Sequence, residues 1–215
     1  MKNRFDLIIF DWDGTLINSI DWIAGCIQRA AVRCNFATPD YEATKGVIGL
    51  SIERAMQTLI PEADDDTLNQ LVANYADEYF SKSISQDDFF PGVYDMLVHL
   101  QQANYQLAVA TGKTREGLAQ ALKDTGTAEL FAVTRCADET QSKPHPRMLH
   151  EILAATGVAP ERALMIGDSI HDLQMALNAQ IPSIGVSCGA HSEEFLHQYN
   201  PLLCLSQPVE LLTII

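Results

Sequence analysis

The sequence predicts an α/β fold in which a Rossmann-like core, built on a parallel β-sheet, carries an inserted all-helical domain. Two patterns lead to this prediction. From Pro91 onward, short apolar runs alternate with amphipathic stretches of helical period. Such repeated β-α units imply a parallel sheet with right-handed crossovers. Before Pro91, one apolar run is followed by residues 17–88, whose helical patterns are not interrupted by any strand pattern.

The first strand is predicted at Phe5–Asp11, an apolar run broken by a single acid. Such a run is typical of a strand that is buried on both faces of a parallel sheet. After the Gly14-Thr15 turn, Asn18 or Ser19 can cap a helix whose apolar side chains repeat at helical spacing. The apolar stripe of this helix consists of Ile20, Ile23, Ala24, Ile27, Ala31 and Cys34. Two further helical patterns cover Ser51–Leu59 and Asp66–Phe80.

The Pro91-Gly92 turn separates the helical stretch from the alternating pattern that follows. Gly126 is the expected C-terminal cap of one of the later helices. The predicted helices of this half are Val93–Gln102, Arg115–Thr125, Pro146–Ala155 and Ile170–Ala179. The predicted strands are Gln106–Thr111, Ala132–Cys136, Ala163–Ile166 and Ser183–Val186. We therefore expect residues 1–16 and 89–215 to form the α/β core, and residues 17–88 to form the helical domain.

Composition and charge argue against several classes of protein. The chain has 215 residues, of which 47% are hydrophobic and 20% charged, as expected for a globular protein. Its formal net charge of -14 would repel a nucleic acid, and no stripe of Lys or Arg offsets that charge. No apolar run reaches the ~18 residues of a membrane span, and the N-terminus lacks the features of a secretory signal. Five cysteines without C-x-x-C spacing indicate reduced thiols in the cytoplasm and no zinc site.

Four segments with polar side chains follow predicted strands. Ligands of open parallel sheets bind beyond the carboxyl ends of the strands, so we expect these segments to converge despite their separation in sequence. The segments are Asp11-Trp12-Asp13-Gly14-Thr15, Ala110-Thr111-Gly112-Lys113, Ser142-Lys143-Pro144, and Gly167-Asp168-Ser169 with Asp172.

The carboxylates of these segments predict a magnesium site. Two carboxylates about 4 Å apart repel by roughly 4 kcal/mol at an effective dielectric constant near 20, so a cation is needed to hold them together. Ligands that are all oxygen favour Mg²⁺, which also takes substrate phosphate as a ligand. Each residue alone has a simpler explanation: aspartates stabilise turns and cap helices, Thr111 can cap a helix, and Lys143 can be a surface lysine. The combination favours a site that stabilises a phosphoryl group in transfer.

In their order along nearly the whole chain, the four segments resemble the haloacid dehalogenase-like superfamily, in particular its phosphatases related to phosphoglycolate phosphatase. The resemblance implies that Asp11, in D-x-D-G-T, is the nucleophile and that Asp13 is the general acid and base. It implies that Thr111, Gly112 and Lys143 bind the substrate phosphate. For Mg²⁺ it implies ligation by Asp11, Asp168 and the backbone carbonyl of Asp13, with Asp172 acting through water. Residues 17–88 match the position of the family's cap domain.

Two features of the first and second motifs limit which activities and residue roles of the family can be expected for this chain. Dehalogenases and phosphonatases lack the second aspartate of the first motif, so Asp13 argues against both activities. Gly112 stands where many relatives have Asn, which leaves only a backbone N–H for phosphate binding. In the cap, Lys45, Arg54 and the turn at residues 46–49 are candidates for substrate contact, although solvated helix charges explain them equally well.

Three functions remain open at this stage. The first is a magnesium-dependent phosphatase acting on a small phosphorylated metabolite, such as phosphoglycolate, a sugar phosphate or pyrophosphate, through a phospho-aspartyl intermediate on Asp11. The second is a sugar phosphomutase, which retains both aspartates and returns phosphate to a bound intermediate. The third is a non-catalytic phosphate-binding module, which would be expected to have lost Asp11, Asp13 or Asp168. The expected protein is a monomer or homodimer without nucleic-acid or membrane partners, and the sequence does not rank the substrates.

Overall fold

The computed structural model describes residues 4–215; residues 1–3, where the expected core segment 1–16 begins, lie outside the described residues. The strands of this part are β1 (Leu7–Phe10), β2 (Gln106–Thr111), β3 (Val133–Cys136), β4 (Ala163–Gly167), β5 (Ser183–Val186) and β6 (Cys204–Leu205). The helices are α1 (Ile20–Arg33), α2 (Tyr41–Gly46), α3 (Ile52–Leu59), α4 (Asp65–Tyr79), α5 (Val93–Gln102), α6 (Arg115–Thr125), α7 (Arg147–Thr156), α8 (Ile170–Asn178) and α9 (Glu193–His197).

The strands form one parallel sheet in the order β3-β2-β1-β4-β5-β6. Strand β1 lies in the middle, where Leu7 is paired with Gln106 on one side and Ala163 on the other, and all of its side chains are buried. The chain winds outward from β1 in both directions, so the strand order reverses beside it. This reversal is the position at which open α/β sheets bind their ligands.

Separate apolar clusters cover the two faces of the sheet. One includes Phe10, Leu97 and Leu118, and packs α5 and α6 against one face. The other includes Leu7, Met148 and Met175, and packs α7 and α8 against the opposite face. Burial of both faces explains the continuous apolar runs of β1 and β4, because neither strand has a side that contacts water.

Helices α1–α4, here called the helical block, lie between β1 and α5 in sequence and bury an apolar cluster of their own. The chain segments that enter and leave the block run side by side. The amide of Asn18 donates to the carbonyl of Asp88 at 2.8 Å, and the amide of Phe90 donates to the carbonyl of Leu16 at 3.0 Å. The predicted fold class, a parallel-sheet core with an inserted all-helical domain, is confirmed, while the boundaries at residues 16 and 88 remain a prediction.

Most predicted elements are present within a residue or two of their expected bounds, and Gly126 caps α6 with a φ of 66°. Three short elements, α2, α9 and β6, were not predicted. Ser19 occupies the N-cap position of α1, but its side chain makes no capping hydrogen bond, since its hydroxyl is directed to Asp13 instead. In residues 4–215, no helix has the length and apolar character needed to span a membrane.

Candidate active site

Three buried carboxylates converge beyond the carboxyl ends of the central strands. Asp11 directly follows β1, Asp168 directly follows β4, and Asp172 lies in the first turn of α8. One carboxylate oxygen from each of the three residues lies within 4.8 Å of the others. These residues are separated by up to 161 positions in sequence (172 − 11), and the strand order brings them together as predicted.

Lys143 is buried among these carboxylates. Its Nζ lies 2.7 Å from Oδ1 of Asp11 and 2.7 Å from Oδ1 of Asp172. Burial alone would disfavour the ammonium, but the two carboxylates more than offset that cost and raise the pKa of Lys143. The simpler interpretation of Lys143 as a surface lysine is therefore wrong, because its side chain has no solvent exposure.

The Asp168 carboxylate is held in one orientation by neighbours on both sides. Oδ1 accepts a hydrogen bond from the Thr15 hydroxyl at 2.7 Å, and Oδ2 accepts one from the Ala190 amide at 2.7 Å. A Cβ at Gly14 or Gly189 would lie 2.2 or 2.1 Å from Oδ2, so only glycine fits at either position. Burial, followed by the nearby Asp172 carboxylate, raises the pKa of Asp168 to about 7.

Asp172 is fixed by the start of its own helix. Its Oδ2 accepts hydrogen bonds from the Ser169 amide at 3.1 Å and the Ser169 hydroxyl at 2.6 Å, which completes a capping box. Its Oδ1 is left to face Lys143. A common helix-capping interaction thus directs Asp172 towards the site.

The carboxylate cluster fits a divalent cation. Three buried carboxylates face one ammonium, so the cluster carries excess negative charge if all of its groups are ionised. Burial raises the pKa of Asp11 well above its ordinary value, although the Lys143 ammonium lies beside it. The donor set is all oxygen, which suits Mg²⁺. Asp11, Asp168 and Asp172 are the side chains that would hold it.

The Asp13 carboxylate belongs to a second, separate ion pair. Its Oδ2 lies 2.9 Å from Nζ of Lys113, and its Oδ1 accepts a hydrogen bond from the Ser19 hydroxyl at 2.7 Å. Lys113 Nζ also donates to the Tyr79 hydroxyl and lies 4.4 Å from the centroid of the Tyr79 ring. The side chain of Asp13 therefore faces a different cation from Asp11, although the two aspartates lie only two positions apart in sequence.

A cavity of about 110 Å³ lies between the strand ends and the helical block. Its polar side is formed by Asp11, Asp13 and the loop of residues 111–114 that follows β2. The hydroxyl of Thr111 accepts a hydrogen bond from the Lys113 amide at 3.2 Å, which shapes this loop, while the capping side chain of α6 is Thr114. The helical block contributes mainly apolar side chains, among them Ile23, Ile27, Val72, Tyr75, Ala76 and Tyr79.

The segment between α2 and α3 lies directly against the core at the cavity. The Ser51 amide donates to the Ser142 hydroxyl at 2.8 Å, and Nε2 of His171 lies 3.0 Å from the Gly46 carbonyl oxygen. A Cβ at Gly112 would lie 2.4 Å from the carbonyl oxygen of Leu50. Gly112 therefore provides the space in which this segment packs against the β2 loop.

The structure places the predicted residues in two groups that meet at Asp11. Asp168, Asp172 and Lys143 surround Asp11 on one side, whereas Asp13, Thr111 and Gly112 line the cavity with it. Lys45 and Arg54 are absent from the described lining of the cavity.

Sequence reasoning missed four polar neighbours of the site. Thr15 and Ser19 orient aspartates, and both follow the first motif closely enough that their hydroxyls could have been considered. Lys113 was part of the second segment, but nothing in the sequence showed that it is buried beside Asp13. Tyr79 lies within the predicted helix Asp66–Phe80, and a helical pattern does not reveal where the hydroxyl of a tyrosine points.

Comparisons with known proteins agree with this geometry. A family profile described as haloacid dehalogenase-like hydrolase matches residues 8–186. A phosphoglycolate phosphatase from Colwellia psychrerythraea is 31% identical over 219 residues, covering 96% of this chain and 95% of the relative. A pyrophosphatase from Bacillus pumilus is 28% identical, covering 100% and 98% of the two chains. The crystal structure of a hydrolase from Pseudomonas syringae has the same fold, with a TM-score of 0.87, 23% identity, and coverage of 96% and 95%.

The profile spans most of the chain, and a relative with more than 30% identity aligns with nearly all of it. The convergent aspartates and the parallel sheet are those that the resemblance in sequence predicted. The chain therefore belongs to the haloacid dehalogenase-like hydrolase family, among its phosphatases.

Proposed function

We propose that this protein is a magnesium-dependent phosphatase that hydrolyses a small phosphate ester through a phospho-aspartyl intermediate on Asp11. The observation that carries the proposal is the pairing of its two neighbouring aspartates with different buried lysines, Asp11 with Lys143 and Asp13 with Lys113. Nucleophilic and acid-base roles require two carboxylates in different environments, and these ion pairs supply them.

In the first step, an oxygen of the Asp11 carboxylate attacks phosphorus, and the bond from phosphorus to the leaving oxygen breaks. Asp13, in its protonated form, gives its proton to that leaving oxygen. Lys143 lies against Asp11 and would stabilise negative charge on the phosphoryl oxygens, together with Thr111 and the backbone N–H of Gly112. The alcohol or phosphate leaving group then departs with the proton.

In the second step, water attacks the phosphorus of the phospho-aspartyl group. Asp13, now ionised, takes a proton from that water, and the bond between phosphorus and the Asp11 oxygen breaks. Inorganic phosphate is released and both aspartates return to their starting states. A bound Mg²⁺ would supply neutralising charge for the carboxylates and the phosphoryl oxygens.

The cavity supports a small substrate. Its volume of about 110 Å³ and the apolar side chains of the helical block favour a small molecule over a macromolecular substrate. The relatives named above act on phosphoglycolate and pyrophosphate, which are both small. We also place the reaction in the cytoplasm, since all five cysteines are free thiols in this structure.

Phosphate release from small esters, measured with Mg²⁺ and with chelator, tests this proposal. We expect turnover of 2-phosphoglycolate, pyrophosphate or a sugar phosphate that requires Mg²⁺, and no phosphoenzyme in Asp11→Asn with any of them. Asp95→Asn, which makes the same change at an exposed position on α5, serves as the matched control and should keep full activity. Undiminished turnover by Asp11→Asn, or by the wild-type protein in chelator, would refute the proposal.

A further inference from the structure

Lys113 is the single cationic side chain among the described residues that line the cavity. Only 6% of its side chain is exposed. The other buried lysine of the site, Lys143, is held between Asp11 and Asp172. A buried ammonium needs an anionic partner, and among the described residues Asp13 provides one for Lys113. Its second contact is the neutral hydroxyl of Tyr79, which comes from the helical block.

The position of Lys113 relative to the reaction follows from its contact with Asp13. A general acid must lie within hydrogen-bonding distance of the leaving oxygen. Lys113 Nζ is 2.9 Å from Asp13, whereas Lys143 Nζ is 2.7 Å from Asp11. Lys143 therefore lies on the nucleophile side of the phosphoryl group, and Lys113 lies on the leaving-group side. Any charge that Lys113 recognises must belong to the part of the substrate beyond the leaving oxygen.

The surroundings of Lys113 make that recognition selective. Besides Asp13 and Tyr79, the cavity that Lys113 lines has many apolar side chains, among them Ile27 and Val72. The attraction between opposite charges is stronger in such an apolar, partly buried cavity than in water. A neutral substituent could accept a hydrogen bond from Lys113 but would lack the attraction between opposite charges, so an anionic substituent should bind more tightly.

On the basis of the proposed phosphatase function, we propose that Lys113 and Tyr79 form a binding site for a second anionic group of the substrate, attached on the leaving-group side. The group is a carboxylate or a second phosphate that takes Lys113 as its partner in place of Asp13, with the Tyr79 hydroxyl donating a hydrogen bond. Tyr79 belongs to α4 and Lys113 to the core, so the anion would also join the helical block to the sheet. Substrates with a neutral leaving group are disfavoured.

Binding of two phosphonates tests the site without requiring turnover. 3-Phosphonopropionate carries a carboxylate on a short chain, and propylphosphonate ends in a methyl group of similar size. We expect calorimetry in the presence of Mg²⁺ to show that the wild-type protein binds 3-phosphonopropionate more tightly, on the order of 10²-fold. Equal affinities would overturn the proposal, and this comparison requires no variant.

Variants then assign the discrimination to Lys113. Lys113→Met should reduce the affinity ratio to within about threefold, and Lys113→Arg should retain a substantial part of it because the charge remains. Lys123→Met makes the same change at an exposed position on α6 and should leave the ratio unchanged. A similar loss of affinity for both phosphonates in Lys113→Met would show a structural role instead.

Turnover separates this proposal from the proposed function. Phosphate release by the wild-type protein, combined with equal binding of the two phosphonates, would overturn the anion site and leave the phosphatase assignment intact. Lys113-dependent discrimination without turnover of any ester would support the anion site and refute the phosphatase assignment.

Discussion

At the scale of single residues, the site distinguishes two aspartates that lie two positions apart. Asp11 shares Lys143 with Asp172, in the cluster suited to a metal ion. Asp13 turns away from that cluster and is held by Ser19 and Lys113. The two carboxylates thus lie in different environments, which is what the proposed roles of nucleophile and general acid require.

Asp13→Asn should reduce activity to an extent that depends on the leaving group. In the proposed mechanism, the variant keeps the Asp11 nucleophile but loses the proton donor. An alkoxide needs protonation as it departs, whereas p-nitrophenolate is stable as an anion. We therefore expect kcat/KM to fall by about 10²- to 10⁴-fold for an alkyl phosphate and much less for p-nitrophenyl phosphate.

The comparison of Asp13→Asn must use kcat/KM, because that ratio reports the steps through leaving-group departure. The value of kcat can instead report hydrolysis of the phosphoenzyme, in which Asp13 acts as base. Equal losses of kcat/KM for the two substrates would show that Asp13 serves to position groups rather than to donate a proton. Asp95→Asn should show no loss with either substrate.

The sequence predicted correctly which residues meet at the site where their position at a strand end decides it. Asp11, Asp168 and Thr111 come at or directly after strand ends, and parallel pairing then brings them to one edge. Lys113 and Tyr79 were missed because their contact joins the core to the helical block. No local pattern in the sequence encodes the relative placement of the two parts, which depends on packing across the cavity.

At the scale of elements, the segment between α2 and α3 is the part of the helical block that packs against the β2 loop. The carbonyl groups of Gly49 and Leu50 lie where a side chain at position 112 would have to be. The absence of a side chain at Gly112 thus has a structural consequence as well as the loss of a donor. It allows the backbone of the helical block to approach the loop that follows β2.

Gly112→Ala should weaken catalysis by displacing that segment. The added Cβ would lie 2.4 Å from the Leu50 oxygen and 2.6 Å from the Gly49 oxygen, so backbone must move. We expect kcat/KM for a small ester to fall on the order of 10- to 10²-fold, since misplacement of about 1 Å has effects of that size. The far-ultraviolet circular dichroism spectrum should stay unchanged, because α6 and β2 remain intact.

Gly46→Ala is the matched control for this prediction. It makes the same substitution at the end of α2, where an added Cβ has no atom within 4 Å. Activity should stay within about twofold of wild type, as is usual for substitutions without new contacts. Full activity of Gly112→Ala would show that the segment between α2 and α3 can move away from the added Cβ without loss of catalysis. Its packing would then not position the site.

Prediction of elements succeeded where an apolar pattern marks the element and failed for short elements that lack such a pattern. Strand β2 and helices α5 and α6 have the predicted bounds, because each carries a repeated apolar pattern between clear turn residues. Helix α2, with the sequence YEATKG, buries only Thr44 and has no apolar stripe to detect. Strand β6 has two residues and exists through its pairing with β5 at the sheet edge, a tertiary contact that the sequence does not display.

At the scale of the whole molecule, the negative charges that affect stability most are those that are buried. The formal net charge is -14, and solvent screens most of it at the surface. Asp11, Asp168 and Asp172 are buried together and cannot be screened in that way. The stability of the metal-free protein should therefore depend on the protonation of this cluster, and a divalent cation should remove that dependence.

For Asp168, the folded protein raises the pKa from 3.8 to about 7. The folded state then binds a proton more tightly than the unfolded state. Between those two values, the contribution of Asp168 to the free energy of unfolding decreases as the pH rises. Asp11 acts in the same direction, since burial raises its pKa as well. In chelator, this cluster should therefore make a smaller contribution to stability at about pH 8 than at about pH 5.

Mg²⁺ should restore stability where the cluster is ionised, because bound metal compensates the carboxylates and competes with their protons. We expect the rise in Tm on adding Mg²⁺ to be larger at about pH 8 than at about pH 5, measured by thermal unfolding against chelator. Asp168→Asn should lose most of the rise at the higher pH, since it removes an anionic ligand, while Asp95→Asn should behave as wild type. A rise of equal size at both pH values would mean that protons do not compete with Mg²⁺, and that the cation binds outside the cluster of Asp11, Asp168 and Asp172.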